Sequence, residues 1–424
     1  MTKAHSNLDS NLHLDPHADI NDPDVYVHGV PHNAFRRLRD EDPVSWWDEQ
    51  DGTGFWAVTR YADILEVSRQ PIIFSSAKGI RVEDMKPDEL EARKTMMEVD
   101  PPKHTEYRRM VQPPFSLREV TSYEEALRLI AQQTIREARA FQEFDFVELL
   151  ARRLPMRMLG KVLGLPDKDG PWMVRAGDAL IGNSDPEFTD TPVGLSNTDA
   201  YRLLPFRSPV SMKLFDYAEA QAKDRRSNPK DDMITRLLQP KRDGEPLSEI
   251  EFKNFFTLLV AAGNDTTRYT MNEGMLALLE NPESLEALQN DPSLIDGAVE
   301  EILRWGSVTM HFRRTATQDT TIGTRAVKAG DKILIWYISG DYDERQFTDP
   351  YKFDIRRTPN EHLAFGLKSP HKCLGEHLAR LEIKVLLEEL LPQLSSVKLN
   401  GPLERLRSNF ISGIKHLPLK VSWA

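Results

Sequence analysis

The sequence predicts a mainly helical protein with small attached β-sheets, and three observations predict it. Several long stretches carry apolar residues at helical spacing. One of them, 248–279, is apolar nearly all round and opens on a capping box. The alternating and β-branched runs, by contrast, are short and bounded by turn residues. With 424 residues, 40% hydrophobic and 29% charged, and neither a low-complexity tract nor an internal repeat, the composition is that of a folded protein with a large core.

The first element is a β-hairpin at 43–58, in which Val44, Ser45, Trp46 and Trp47 lead into a turn at Asp51, Gly52, Thr53 and Gly54. Pro101 and Pro102 mark the start of a helix carrying His104 and Arg108. Helices are expected at 124–141, 146–163 and 212–225, separated by loops at Asp185, Pro186 and 205–209. In 248–279, Ser248 and Glu251 form the box. Phe252, Phe255, Phe256, Leu258, Leu259, Val260, Ala261 and Ala262 then leave no polar face, so this helix should cross the interior. Helices at 284–289 and 294–305 follow, then β structure at 315–322 and 332–339 split by a turn at 328–331. A helix at 374–391 comes after a loop rich in Asp and Pro. No linker interrupts the chain. The expectation is one domain over 1–424, with a tail at about 1–20, β-rich parts at 43–60 and 315–340, and a helical core at 100–305 and 374–391.

Net charge is −11, which argues against nucleic acid as a partner. The first thirty residues hold no apolar block, and no window reaches the roughly 18–20 apolar residues that span a bilayer. A cytoplasmic, membrane-free monomer is expected. A single cysteine, Cys373, rules out an internal disulfide and any multi-cysteine metal site.

Four places carry candidate chemistry. Cys373 lies in a loop with Phe365, Gly366, Pro370 and His371 that runs into a helix. Helix amides offset a thiolate and lower its pKa, whereas a lone cysteine without such a setting is usually a buried structural one. Asn264, Asp265, Thr266 and Thr267 interrupt the apolar helix after Ala262. A buried acid and hydroxyl are costly unless used, the plainer reading being a kink. His104 and Arg108 stand one turn apart, a carboxylate clamp or simply a solvated face. Glu301 and Arg304 share a helix face, as surface pairs commonly do.

Together, residues 360–366 and 371–375 resemble the haem-ligand loop of the cytochrome P450 superfamily, with the other three blocks in that family's order. Two departures stand out: Lys368 occupies a position where the family has glycine, and one extra residue separates Phe365 from Cys373. The resemblance implies the P450 fold and haem b with Cys373 as axial thiolate ligand to the iron. His371, Phe365 and Ala262 would lie against the cofactor. His104 and Arg108 would anchor one propionate and Arg314 the other, with Arg313 as its register-shifted rival. Thr266 would hold dioxygen and Asp265 relay protons, while Glu301, Arg304 and Arg357 would form a bracing triad.

The implied activity is monooxygenation of a C–H bond in a small organic substrate, using O2 and electrons from a ferredoxin and its ferredoxin reductase. A basic face of Lys103, Arg109, Lys368, Lys372 and Arg380 would receive the ferredoxin. Rival readings are a peroxide-driven haem-thiolate oxidase and a non-catalytic haem-binding protein. Pocket walls are expected from Ile80, Met85, Leu259, Ala262, Val308, Met310 and Phe410, suiting a terpenoid, steroid, fatty or alkyl-aromatic substrate. Lys78, Arg81 and His311 leave open an anionic alkyl-aromatic such as an aryl phosphate or carboxylate.

Overall fold

The 32-residue helix Glu249–Glu280 runs through the main apolar core. Its start is set as the sequence indicates: Ser248 Oγ accepts from the Glu251 amide, and the Glu251 carboxylate accepts from the Ser248 amide at 2.8 Å. Against it pack the helices Arg153–Leu163, Gly170–Ile181, Val210–Ser227 and Ile295–Gly306. The computed structural model describes residues 15–49, 52–240 and 244–424, so Asp51 of the expected turn and tail residues 1–14 lie outside the described residues. The tail ends sooner than position 20 in packing terms, because Ile20 is buried and its carbonyl accepts from the Tyr26 hydroxyl at 2.8 Å.

The hairpin Val44–Trp47 and Phe55–Val58 belongs to a five-stranded sheet. Phe55–Val58 pairs in parallel with Lys332–Trp336, which pairs with His311–Ala316, and Phe74–Ser75 closes the edge. Val58, Ile64, Phe74, Ile333, Ile335 and Leu363 form a second, smaller core beneath it. A three-stranded sheet joins Glu143–Asp145, Pro418–Trp423 and Leu394–Leu399.

Two expected elements change shape. The 146–163 stretch is a π-helical turn, Val147–Ala151, followed by the helix Arg153–Leu163. Pro155 has no amide to donate to the carbonyl four residues back, and the Arg152 amide instead reaches Val147 at 3.0 Å. The 332–339 run ends its strand at Trp336, and Tyr337–Gly340 is helical. Among the described residues no helix is long and apolar enough to cross a membrane.

Candidate functional site

The cysteine loop is closed on itself. The Cys373 amide donates to the Phe365 carbonyl at 2.8 Å and the Lys372 amide to Ser369 at 3.1 Å. Two residues of this loop take the left-handed region, Gly366 at φ 69° and Lys368 at φ 59°. Lys368 therefore adopts the conformation that a glycine would adopt without steric cost. The helix Glu376–Leu390 begins three residues after the thiol. Cys373 is exposed, yet surrounding protein desolvates its thiol. A thiol facing an internal space meets both conditions. The expected lowering of its pKa is corrected here: burial outweighs the hydrogen bond from the Gly375 amide and pushes the thiol up.

Four basic side chains gather here, His371 from the loop itself and His104, Arg108 and Arg314 from neighbouring elements. His104 is buried, its ring 4.1 Å from that of His371. Arg108 donates to the Lys372 carbonyl at 2.7 Å, tying its own helix, Lys103–Val111, to the cysteine loop. Arg314 is buried and, among the described residues, donates only to the neighbouring Arg313 carbonyl at 2.7 Å. Among the described residues none of these four forms an ion pair with a carboxylate. His104 Nε2 and His371 Nδ1 are buried with no hydrogen-bond partner. Burial, reinforced by Arg108 and Arg314, holds the His104 imidazole down at about 4, and His371 is depressed for the same reasons. Such a cluster of desolvated donors lacks its anions, and it fits a group bearing two carboxylates. Of the two register rivals, Arg313 is held by Asp84 at 3.0 Å and the Glu83 carbonyl at 2.8 Å, whereas Arg314 makes no ion pair among the described residues.

The long helix opens along one row. Ala262 is exposed, and Leu258 and Thr266, four residues to either side, are half-buried in a helix otherwise largely buried. Thr266 Oγ1 donates to the Ala262 carbonyl at 2.8 Å, and Thr270 likewise back-bonds to Thr266 at 2.9 Å. Asp265 faces away from this row. Its carboxylate accepts a hydrogen bond from Asn264 Nδ2 at 2.9 Å, forms an ion pair with Arg268 Nη2 at 2.9 Å and packs beside Gly177. Arg268 also pairs with Asp178, which Arg152 grips from the other side. Asp265 Oδ2 has no partner, and burial raises this carboxyl to about 6 against the pull of Arg268 and Arg152. Arg268 and Asp178 were not singled out in the sequence, because ninety positions separate them.

Glu301 is fully buried and receives Arg304 twice, at 2.7 and 2.8 Å, Arg357 at 3.1 Å and Asn360 at 3.1 Å. Arg304 reaches on to the Asp341 and Pro350 carbonyls, so this ionic knot ties the helix Ile295–Gly306 to the chain leading into the cysteine loop.

The cytochrome P450 family model matches residues 23–420. The chain belongs to the cytochrome P450 family. Among its relatives, linalool 8-monooxygenase of Pseudomonas putida is 35% identical over 94% of this chain and 97% of its own length. The methyl-branched lipid omega-hydroxylase of Mycobacterium tuberculosis is 38% identical over 93% and 91%. A solved Mycobacterium marinum cytochrome P450 in complex with pseudoionone superposes with a TM-score of 0.84 at 36% identity, covering 92% of this chain and 94% of that one. This P450 is thus an oxidoreductase of the monooxygenase class with haem b as cofactor.

A cavity of about 90 Å³ lies between Ile80, Arg81, Met85, Phe206, Asn254 and Leu258 of the P450. Ile80, Met85 and Arg81 line it, and on the long helix Leu258 does so while Leu259 is buried in the core. Val308, Met310 and Phe410 are buried. His311 is buried beside Trp336 and held near 3 by desolvation, hence neutral, and Lys78 is exposed. On the basic face, Lys372 pairs with Glu376 at 2.5 Å and Arg380 with Glu300 at 2.6 Å, while Lys103 sits 3.9 Å from Glu251.

Proposed function

We propose that this P450, working in the cytoplasm as a monomer, inserts one oxygen atom of O2 into a C–H bond of a small, largely apolar substrate, such as a terpenoid, steroid or branched lipid. The second atom leaves as water, which requires two protons and two electrons per turnover. The electrons come from a ferredoxin reduced by a ferredoxin reductase. The observation that carries the reading is the exposed yet desolvated Cys373 thiol near the buried His104 and Arg314 and the half-buried Arg108 and His371, none of which pairs with a carboxylate among the described residues.

Cys373 would ligate the haem iron through its sulfur, His104, Arg108, Arg314 and His371 would hold the haem's two carboxylates, and Phe365 and Ala262 would pack against it. When bound, haem supplies dioxygen activation and electron acceptance, with the thiolate favouring O–O cleavage. The chain supplies position and protons. Thr266 presents its hydroxyl on the open row of the long helix, where its proton is held by the Ala262 carbonyl and its remaining lone pair can accept from a ligand. Asp265, its pKa raised by burial to about 6, exchanges a proton with Thr266 through water. Glu301, Arg304 and Arg357 fix the approach to the cysteine loop and touch no substrate.

The test is a Cys373→His variant beside the wild type. The wild type should give the ferrous carbonyl spectrum of a thiolate-ligated haem and NADH-dependent hydroxylation with ferredoxin and reductase. The variant should keep haem and lose both. A thiolate spectrum surviving in Cys373→His would overturn the assignment.

A further inference from the structure

We propose that the cavity at Arg93 is a carboxylate subsite, so that the substrate is an amphipathic acid whose apolar body lies along the long helix. The inference rests on the monooxygenase reading above and specifies its substrate class. Three arginines, Arg81, Arg93 and Arg207, line the cavity. Two are already neutralised: Arg81 pairs with Glu83 at 3.2 Å, and Arg207 with Glu89 at 3.0 Å. Arg93 makes no ion pair with a carboxylate among the described residues, and its Nη2 is buried without a hydrogen-bond partner. The remaining lining carboxyl, Glu98, is committed to the Thr95 amide at 3.0 Å and hydroxyl at 2.6 Å, and burial pushes its pKa up. The lining thus offers one guanidinium without a direct ion pair, held by the Glu89 carbonyl at 3.4 Å and answered by Glu83 and Glu89 only from a distance, in a partly desolvated space that a carboxylate complements.

The walls are built around that group. Asn254 on the long helix donates to the Ala92 carbonyl at 2.9 Å and to Lys94 at 3.3 Å, gripping the chain on both sides of Arg93. Its Oδ1 is left buried without a donor, a place for a water shared with the bound carboxylate. Across the cavity, Phe206 and Arg207 take positive φ, 58° and 49°, in succession, and the Phe206 carbonyl is held by Asn183 Nδ2 at 2.6 Å. Two adjacent non-glycine residues in this region are strained, and such strain persists where the surroundings impose it and often at binding sites. It sets the Phe206 ring against Arg81, whose guanidinium lies 5.8 Å from that ring and 5.0 Å from Phe410. A volume of about 90 Å³ accommodates a head group and water but no substrate body.

The body would follow the long helix. Asn254 and Leu258 line the cavity, and the open positions Ala262 and Thr266 follow at four-residue steps, turning gradually about the axis. Asn254 and Thr266 are separated by about 18 Å along the helix axis. An acid anchored at Arg93 therefore presents carbons remote from its carboxylate to the Thr266 end, and oxidation falls there.

The test uses the ferric holoenzyme, titrated with dodecanoate and with methyl dodecanoate, following both the haem absorption and the heat of binding. The wild type should bind the acid at least tenfold more tightly than the ester, and Arg93→Gln should abolish that preference while leaving the ester's affinity unchanged. Equal affinities in the wild type, or a preference that survives in Arg93→Gln, would overturn the subsite. Because the ferrous carbonyl spectrum is recorded on the same samples, failure of the subsite is distinguishable from failure of the haem-thiolate reading.

Discussion

Asp265 and Arg268 meet at 2.9 Å, one turn apart on the same buried helix, and Asp178 from a neighbouring helix takes the other side of the guanidinium. The acid proposed to relay protons is thereby turned from the open row of the helix and held on a charge it can leave. Desolvation raises its pKa to about 6. The unfolded chain would titrate near 3.8, so between those values the folded protein holds the extra proton. Stability from this group is therefore fully present below about 3.8 and lost as pH rises to about 6. In Asp265→Asn that slope should vanish from melting temperature plotted against pH. The same variant should lower the turnover number by about a hundredfold, with haem content unchanged. A variant whose turnover matches the wild type would remove Asp265 from the relay.

Thr266→Ala deletes the hydroxyl on the open row but spares the helix, since the back-bond to Ala262 is not part of the i→i−4 amide ladder. Product formed per NADH oxidised should fall about tenfold, with hydrogen peroxide accounting for the difference. Measuring product, NADH and peroxide together decides it: tight coupling in the variant would assign Thr266 to packing alone.

Glu301 is buried with Arg304 and Arg357 on one carboxylate. Glu301→Gln keeps the shape but leaves buried guanidinium charge uncompensated, a cost of about 3–5 kcal/mol. The purified variant should contain little haem and melt well below the wild type. Arg304→Lys should fail similarly, since a single ammonium cannot reach Glu301 and both the Asp341 and Pro350 carbonyls in Arg304's fork geometry. Full haem occupancy in Glu301→Gln would contradict the bracing role.

Much of this site was legible because its signals are local. Ser248 and Glu251 mark a helix start within four residues, and Glu301 with Arg304 sits within one turn. Residues 365–373 form a closed loop whose odd member, Lys368, was visible as a lysine in a glycine position. What was missed depends on distant partners or on phase. Leu258 rather than Leu259 lines the cavity because a helix apolar all round has no polar face to fix its rotation. Arg93 is unremarkable in sequence and becomes notable only when Glu83 and Glu89 are seen to be taken by Arg81 and Arg207. The strand Glu143–Asp145 is too short to announce itself, its partner Pro418–Trp423 being far along the chain.

Lys368 tests the loop directly. A lysine at φ 59° pays for a conformation that glycine takes freely, at about 1 kcal/mol. Lys368→Gly should raise the melting temperature by about 1 °C for a chain of this length, whereas Lys368→Ala should not. A gain equal in both variants would trace the effect to charge instead of backbone.

The basic face divides once its ion pairs are drawn. Lys372 is bound to Glu376, and Arg380 to Glu300 and Glu376, so much of their charge is already answered within the chain. Arg109 is exposed on the helix Lys103–Val111 and makes no ion pair among the described residues. Under the ferredoxin reading proposed above, an acidic donor docking on this side would meet Arg109 at full strength and Lys372 at reduced strength. Arg109→Glu should therefore slow ferredoxin-dependent reduction about tenfold at low ionic strength, and the deficit should shrink in high salt. Lys372→Glu should also slow reduction, but it breaks a pair beside the thiol loop and should lower thermal stability as well. Stopped-flow reduction and melting curves on the two variants separate these effects. Unchanged reduction in Arg109→Glu at low salt would move the ferredoxin site off this face.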